Sequence, residues 1–317
     1  LDYPRSPKLN APSFTSAWLE AHDHKLPLAI ARARKFNKAR TTFIDKMILD
    51  HEVDGRIHGE LHPLRSDDGG TVTGRFSCSN PNLQQVPARD PEIGSLIRSL
   101  FIPEEGYKWG SFDYSQQEPR MTVHYAASIG DGYEGSNELV EAYHNTEADF
   151  HQTVADLVGI ERSQAKTIGL GLMYGMGKNK LALSLGVSKD EADKLIVKYN
   201  NKVPFVKKLS DRCKFAADEK GVIRTKKGRK CRFDLWETKD FGLHVAEKFD
   251  DAVAKYGKDN IKRAYTYKAL NRLIQGSSAD QTKQAMLDCY NDGHLPMLQI
   301  HDELCFNIKD DTHANKI

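Results

Sequence analysis

Hydrophobic and polar positions along this chain follow two periods, and the changes between them divide it into segments. Residues 14–50 read as mostly helical, running into the helix-like TTFIDKMIL. From 59 to 75 the pattern breaks into short pieces punctuated by DDGG and TGR, which predicts strands and turns. The run ending at Asp113 predicts a strand over 107–113. Residues 118–128 predict a helix, with Pro119 acceptable in its first turn, where a missing N–H is harmless. Three helices are expected across 135–200. GVIRTKKGRKCRF predicts a basic β-hairpin turning at Gly228, and residues 261–291 predict a further helix. MLQIHDELCF splits around His301-Asp302 into two apolar halves, a hairpin with an acid at its tip.

Two of these segments, KWGSFDYSQQEPR and MLQIHDELCF, each set a carboxylate at the end of a predicted strand. Asp113 and Asp302 are far apart in sequence. If they met in space they could hold a pair of divalent cations for in-line phosphoryl transfer. A turn or cap residue is the plainer reading of either one alone.

Charge changes the picture through its distribution. The formal net charge is only +2. Yet ARARKFNKAR holds five basic residues and no acid, and residues 194–232 hold fourteen Lys or Arg against three acids. One such run is ordinarily a solvated face. Two runs flanking the candidate segments suit a track for a phosphate backbone. No stretch approaches the roughly 20 apolar residues of a membrane span, and no signal peptide opens the chain. Five cysteines without CxxC spacing fit a reducing compartment better than a disulfide framework or a zinc site. The chain begins at Leu1 and stops in DDTHANKI, which reads as a piece excised from a longer protein.

In ERSQAKTIGLGLMYGMG, Arg162, Lys166, Leu170 and Tyr174 recur every four residues, each advancing about 40° around a helix. The stripe is basic at its N-terminal end and aromatic at the other, a plausible arm for a triphosphate meeting a helix N-terminus. Periodicity alone also describes an amphipathic surface helix with its tyrosine in the core. The glycines at 169, 171, 175 and 177 count against that reading, because something must approach the backbone closely there. In TGRFSCSNPNLQQVP, Arg75 could donate to base or sugar edges, with Asn82 and Gln84 as further donors. In NRLIQGSSAD, Asn271 and Gln275 lie one helical turn apart and can face one groove.

Taken in order, these segments resemble the family A DNA polymerases, the bacterial DNA polymerase I group with its phage relatives. DYSQQEPR is similar to that family's motif A, RSQAKTIGLGLMYG to motif B and QIHDE to motif C. The resemblance runs from about Thr41 to Lys309, and the QQEP variant points to a phage-type member. It implies an α+β right-hand fold with an antiparallel palm sheet, largely helical fingers and a partial helical thumb. The thumb remnant is expected over 1–50, the palm over 51–118 and 262–317 with its C-terminus truncated, and the fingers over 119–261.

By the same resemblance Asp113 and Asp302, with the Tyr114 carbonyl, would hold two Mg2+ ions, and Glu303 would sit just outside them. His151, Arg162 and Lys166 match the triphosphate contacts, and Lys166 also the proton donor to pyrophosphate. Gln116, Leu170 and Tyr174 match nucleotide-site positions. Glu118 matches the steric gate against a ribose 2′-hydroxyl. Arg75, Asn271, Gln275 and His301 match residues at the minor groove or primer end. The implied partners are primer–template DNA and dNTPs, with processivity or replisome proteins beyond them, in the cytoplasm (the host's, if phage-encoded). Gln117, Pro119, Leu170 and Tyr267 depart from the usual family residues, and Leu170 leaves dideoxynucleotide discrimination open. The competing readings are a single-subunit RNA polymerase, a two-metal nuclease and a primer–template-binding fragment without activity. Glu118 and QGSSAD argue against the first, and a nuclease would not need the Arg162–Lys166–Tyr174 stripe.

Overall fold

Helices capped by left-handed glycines and short antiparallel strand pairs make up this chain. The computed structural model describes residues 3–6, 9–66, 69–88, 90–144, 149–240, 242 and 244–317. The two aspartates of the predicted DDGG turn fall outside them. The chain divides into two units. One comprises residues 1–62, 77–109 and 307–313; the other comprises 63–76, 110–306 and 314–317.

In the first unit, Thr15 caps α1 (Ser16–Glu20) and His24 caps α2 (Lys25–Ala39), which continues as a π-helical segment over Arg40–Leu49. The expected helical stretch is therefore present. Strands β1 (Glu52–Val53) and β2 (Arg56–Ile57) pair across Asp54-Gly55, both at positive φ, as an Asp-Gly hairpin turn requires. Strands β3 (Glu60–His62) and β4 (Ser77–Ser79) also pair antiparallel. The side-chain oxygen of Asn82, a residue predicted as a donor, accepts from Gln84 N and caps a 3-10 turn. Helix α3 (Ile93–Arg98) contributes Ile93 and Ile97 to a small core with Ala39, Phe43 and Phe101.

The second unit holds the larger core and both candidate carboxylates. Strand β5 (Lys108–Asp113) leads into α4 (Gln117–Ala127), α5 (Ser136–His144), α6 (Phe150–Val158), α7 (Arg162–Met173), α8 (Lys178–Leu185), α9 (Lys189–Lys202) and α10 (Pro204–Lys220). Among the described residues, five helices, not three, thus occupy the span 135–200. Gly159 and Gly186 adopt left-handed C-caps at the ends of α6 and α8, and Glu161 and Ser188 start the next helices. Val123, Phe150, Val154, Ile168, Leu181, Tyr199, Phe205 and Leu209 from these helices form the core.

After α10, β6 (Val222–Arg224) and β7 (Lys230–Arg232) form the predicted hairpin, with Gly228 at positive φ. Then come β8 (Trp236–Thr238), α11 (Phe249–Tyr256), β9 (Ile261–Arg263) and α12 (Ala269–Asn291). The helix expected over 261–291 therefore starts only at Ala269, because residues 261–263 pair with β8. Strands β10 (Pro296–Ile300) and β11 (Glu303–Ile308) form the predicted antiparallel hairpin. β11 lies between β10 and β5 in a three-stranded sheet.

Candidate active site

The sheet brings the two aspartates together. Phe112 points to the packed face of β5 and meets Phe306 edge-on at 5.6 Å. Alternation then turns Ser111 and Asp113 to the opposite face, where the Ser111 hydroxyl donates to Glu303. His301, with φ of 56°, makes the tight β10–β11 turn, and its carbonyl accepts from Gln299 Nε2 at 2.6 Å. The backbone ties the two strand ends directly, since Tyr114 N donates to the Asp302 carbonyl at 3.4 Å. Partial desolvation, then the charges of Asp302 and Glu303, raise the Asp113 carboxyl above its ordinary range. Asp302 and Glu303 thus set negative charge beside Asp113 at one end of this sheet, and carboxylate oxygens are the donors a hard divalent cation prefers. Among the described residues, no group of three or more His, Cys, Asp or Glu side chains forms a ready-made metal cage.

Gln116 sits between β5 and α4 in the left-handed region, at φ 54°. Its Oε1 accepts from Phe150 N at 2.8 Å, tying motif A to the first residue of α6. Gln117, where the resembled family has an aliphatic residue, is buried. Its amide donates to the Ser278 carbonyl, Gln281 Oε1 and Thr282 Oγ1 of α12 at 3.2–3.3 Å. Polar groups on α12 thus offset the cost of burying that amide. Pro119 lies in the first turn of α4, as expected.

Glu118 is buried and both its carboxylate oxygens are engaged. Arg75 pairs with Oε1, and the Tyr174 hydroxyl donates to Oε2 at 2.7 Å. Burial, then the neighbouring Glu118, pushes the Tyr174 hydroxyl up to about 12. Arg75, expected to address bases, is thus held on Glu118 here. Tyr174 is the C-cap of α7.

Along α7, Arg162 and Lys166 are exposed while Leu170 and Tyr174 are half-buried. Ala165, Ile168, Gly169 and Met173 form the buried face behind them. The close approaches inferred from the glycines come from core side chains: a Cβ at Gly169 would meet Tyr199 Oη at 3.2 Å, and one at Gly171 would meet Met176 Sδ at 3.3 Å. Arg162 donates from Nε at 2.9 Å and from Nη2 at 2.6 Å to Asp149 Oδ2. His151 is buried, and among the described residues its Nδ1 has no partner. Burial holds it neutral by lowering its pKa to about 4, with Lys166 and Arg162 acting in the same direction against Asp149.

Asn271 and Gln275 both line one groove of 1110 Å³, shared with Tyr174, Lys230, Arg232 and Lys268. It joins the basic hairpin to α12. His301 is exposed in the β10–β11 turn.

Two features escaped sequence reasoning. Asp149 caps α6 and binds Arg162; the D-x-x-Q spacing of DFHQ is an N-terminal signal that could have marked it. Arg229 of the hairpin pairs with Asp280 at 2.7 Å and donates to the Gly276 carbonyl at 2.6 Å. A Cβ at Gly74 would strike this guanidinium, and one at Gly276 would meet it at 2.7 Å. One arginine therefore joins TGR, the hairpin and QGSSAD, and no local pattern reports that.

Comparison with known proteins places the chain in a family. The family model described as DNA polymerase family A matches residues 7–316. The chain belongs to DNA polymerase family A. It is 39% identical to a DNA-directed DNA polymerase of Pseudomonas phage M6, over 94% of this chain and 48% of that protein. It is 32% identical to DNA polymerase I of Pseudomonas aeruginosa, over 93% of this chain and 30% of that protein. The POL domain of Pol1 from M. smegmatis, in complex with DNA primer-template and dNTP, superposes with a TM-score of 0.75 at 26% identity. That match covers 99% of this chain and 53% of that one. The chain spans about half the length of the phage relative it matches. The expected α+β fold with antiparallel strand pairs is that of a family A polymerase domain. Family A DNA polymerases generally use divalent metal ions. Among the described residues, no helix is long and apolar enough to cross a membrane.

Proposed function

We propose that this chain is the catalytic portion of a template-directed DNA polymerase, adding deoxynucleotides to a primer 3′-end. The observation that carries this reading is the meeting of Asp113 and Asp302 at one end of the β5–β11–β10 sheet, joined by the Tyr114–Asp302 backbone bond. Residues 1–50 serve as a thumb remnant, 51–118 and 262–317 as palm, and 119–261 as fingers. Primer–template DNA and dNTPs are the partners.

Asp113, Asp302 and the Tyr114 carbonyl would hold two Mg2+ ions, which suit all-oxygen sites completed by water and phosphate. When bound, the ions lower the pKa of the primer 3′-hydroxyl and neutralise phosphate charge. Arg162 and Lys166 bind the triphosphate from the N-terminal end of α7, where the helix dipole adds to their charge. Lys166 is the group able to give a proton to the departing pyrophosphate. Glu118, gripped by Arg75 and Tyr174, cannot swing aside for a ribose 2′-hydroxyl, so it serves as the sugar gate. Gln116 fixes the approach of α6 and His151 to that site. Leu170 and Tyr174 line it, and Asn271, Gln275 and His301 meet the primer–template.

Single-turnover primer extension tests this. Asp113→Ala and Asp302→Ala should each abolish extension while duplex binding persists. Near-normal extension by either variant would refute the carboxylate assignment, and equal use of rNTPs by the wild type would refute the gate.

A further inference from the structure

Asp149 places a carboxylate beside the residues offered to a polyanion, an arrangement that simple Coulomb repulsion disfavours. Its two oxygens explain its presence. Oδ1 accepts from Gln152 N at 3.0 Å and caps α6, the helix that carries His151. Oδ2 accepts both Nε and Nη2 of Arg162, the first residue of α7. Burial opposes ionisation of this carboxyl, but the hydrogen bonds from Arg162 and Gln152 N keep its pKa below the usual value.

A guanidinium carries five N–H donors in a rigid planar fork. The edge formed by Nε and Nη2 is spent on Asp149. The end-on edge, with one hydrogen of Nη1 and the second of Nη2, faces away from the carboxylate. An arginine fixed this way has little freedom still to lose when a phosphate arrives, and it presents two parallel donors. An arginine on a flexible stem would have to be ordered by the ligand itself.

We propose that Asp149 is the positioning residue for Arg162, holding its guanidinium side-on so that the end-on edge receives the triphosphate of the incoming nucleotide. This rests on the polymerase reading for the identity of the ligand, while the underlying claim concerns triphosphate binding alone.

The test is a double-mutant cycle on the 317-residue chain, titrated calorimetrically with inorganic tripolyphosphate. Asp149→Asn keeps a capping oxygen but sets an amide against Arg162, and Asp149→Ser keeps the cap with no second oxygen. Each should weaken binding about 5- to 10-fold, in the range of coupled contacting pairs. Arg162→Ala should weaken it more, and adding either Asp149 change to Arg162→Ala should have no further effect. In primer extension the Asp149 variants should raise KM for dNTP with kcat within about threefold of wild type. Unchanged or tighter tripolyphosphate binding by the Asp149 variants would overturn the proposal, as the carboxylate would then only repel the anion. So would an undiminished Asp149 effect in the Arg162→Ala background, which would leave only the cap. Absence of tripolyphosphate binding by the wild type overturns it as well. Intact coupling in a chain that never extends a primer would instead refute the polymerase reading and leave Asp149 in its role.

Discussion

The Tyr174 hydroxyl donates a 2.7 Å hydrogen bond to Oε2 of Glu118, linking the C-cap of α7 to the first turn of α4. With Arg75 on the other oxygen, the carboxylate is held from two sides. Tyr174→Phe removes one side and leaves Glu118 freer to yield. We expect a loss of about 1–2 kcal/mol in stability, and a fall of about tenfold in the preference for dNTP over rNTP, equivalent to ~1.4 kcal/mol. Competitive incorporation opposite a defined template base measures the second quantity; an unchanged ratio would show that the hydrogen bond does not stiffen Glu118 as the proposed gate.

Arg229 is the joint between the TGR segment, the β6–β7 hairpin and the QGSSAD stretch of α12. Its side chain and that of Asp280 are only 26% and 12% exposed, so removing the arginine strands a largely buried carboxylate. Arg229→Ala should cost about 3–5 kcal/mol. Gly276→Ala should destabilise by about 1–3 kcal/mol, because its Cβ would press on Arg229 and on Thr225 Cγ2 at 3.2 Å. Urea denaturation reads both, and a change below about 0.5 kcal/mol in either would contradict the joint.

His151 gives the fold an acid-side weakness. Its pKa falls from the ordinary 6.5 to about 4 on folding. Between those values the unfolded chain binds the proton and the folded chain does not. Stability is therefore lost as pH drops from about 6.5 towards 4, at no more than about 1.4 kcal/mol per pH unit. His151→Gln should flatten this dependence when melting temperatures are compared at pH 7 and pH 5. A parallel profile would place the acid sensitivity elsewhere.

The crowded acids predict a cation-dependent stability. Because Asp113 is raised by desolvation, Asp302 and Glu303, its contribution is present at low pH and lost as pH rises through its folded-state pKa. At neutral pH without divalent cations, Asp113→Asn should melt no lower than wild type, and the wild type should be repelling itself there. Adding Mg2+ should raise the wild-type melting temperature by a few degrees, at about 2–4 °C per kcal/mol, and leave Asp113→Asn nearly unmoved. An equal shift in both proteins would put the cation somewhere else.

Much of this was legible in the linear chain where the signal is local. The strand ending at Asp113, the hairpin tipped by Asp302, the turn at Gly228 and the four-residue stripe of α7 follow from side-chain periodicity and turn residues, which act over a few neighbours. The miscount of helices across 135–200 had local evidence too, in the left-handed caps at Gly159 and Gly186. Residues 261–263 are different: only pairing with β8 makes them a strand.

By itself, then, the sequence determined the elements, the order of the motifs and the family, because periodicity, capping and motif spacing are properties of consecutive residues. Only the tertiary structure decided which charges meet. It set Arg75 and Tyr174 on Glu118, Arg162 on Asp149, Arg229 between Gly74 and Gly276, and His151 in a place that keeps it neutral. The physical reason is that desolvation and Coulomb interaction depend on distance in space, and residues far apart in the chain supply most of both.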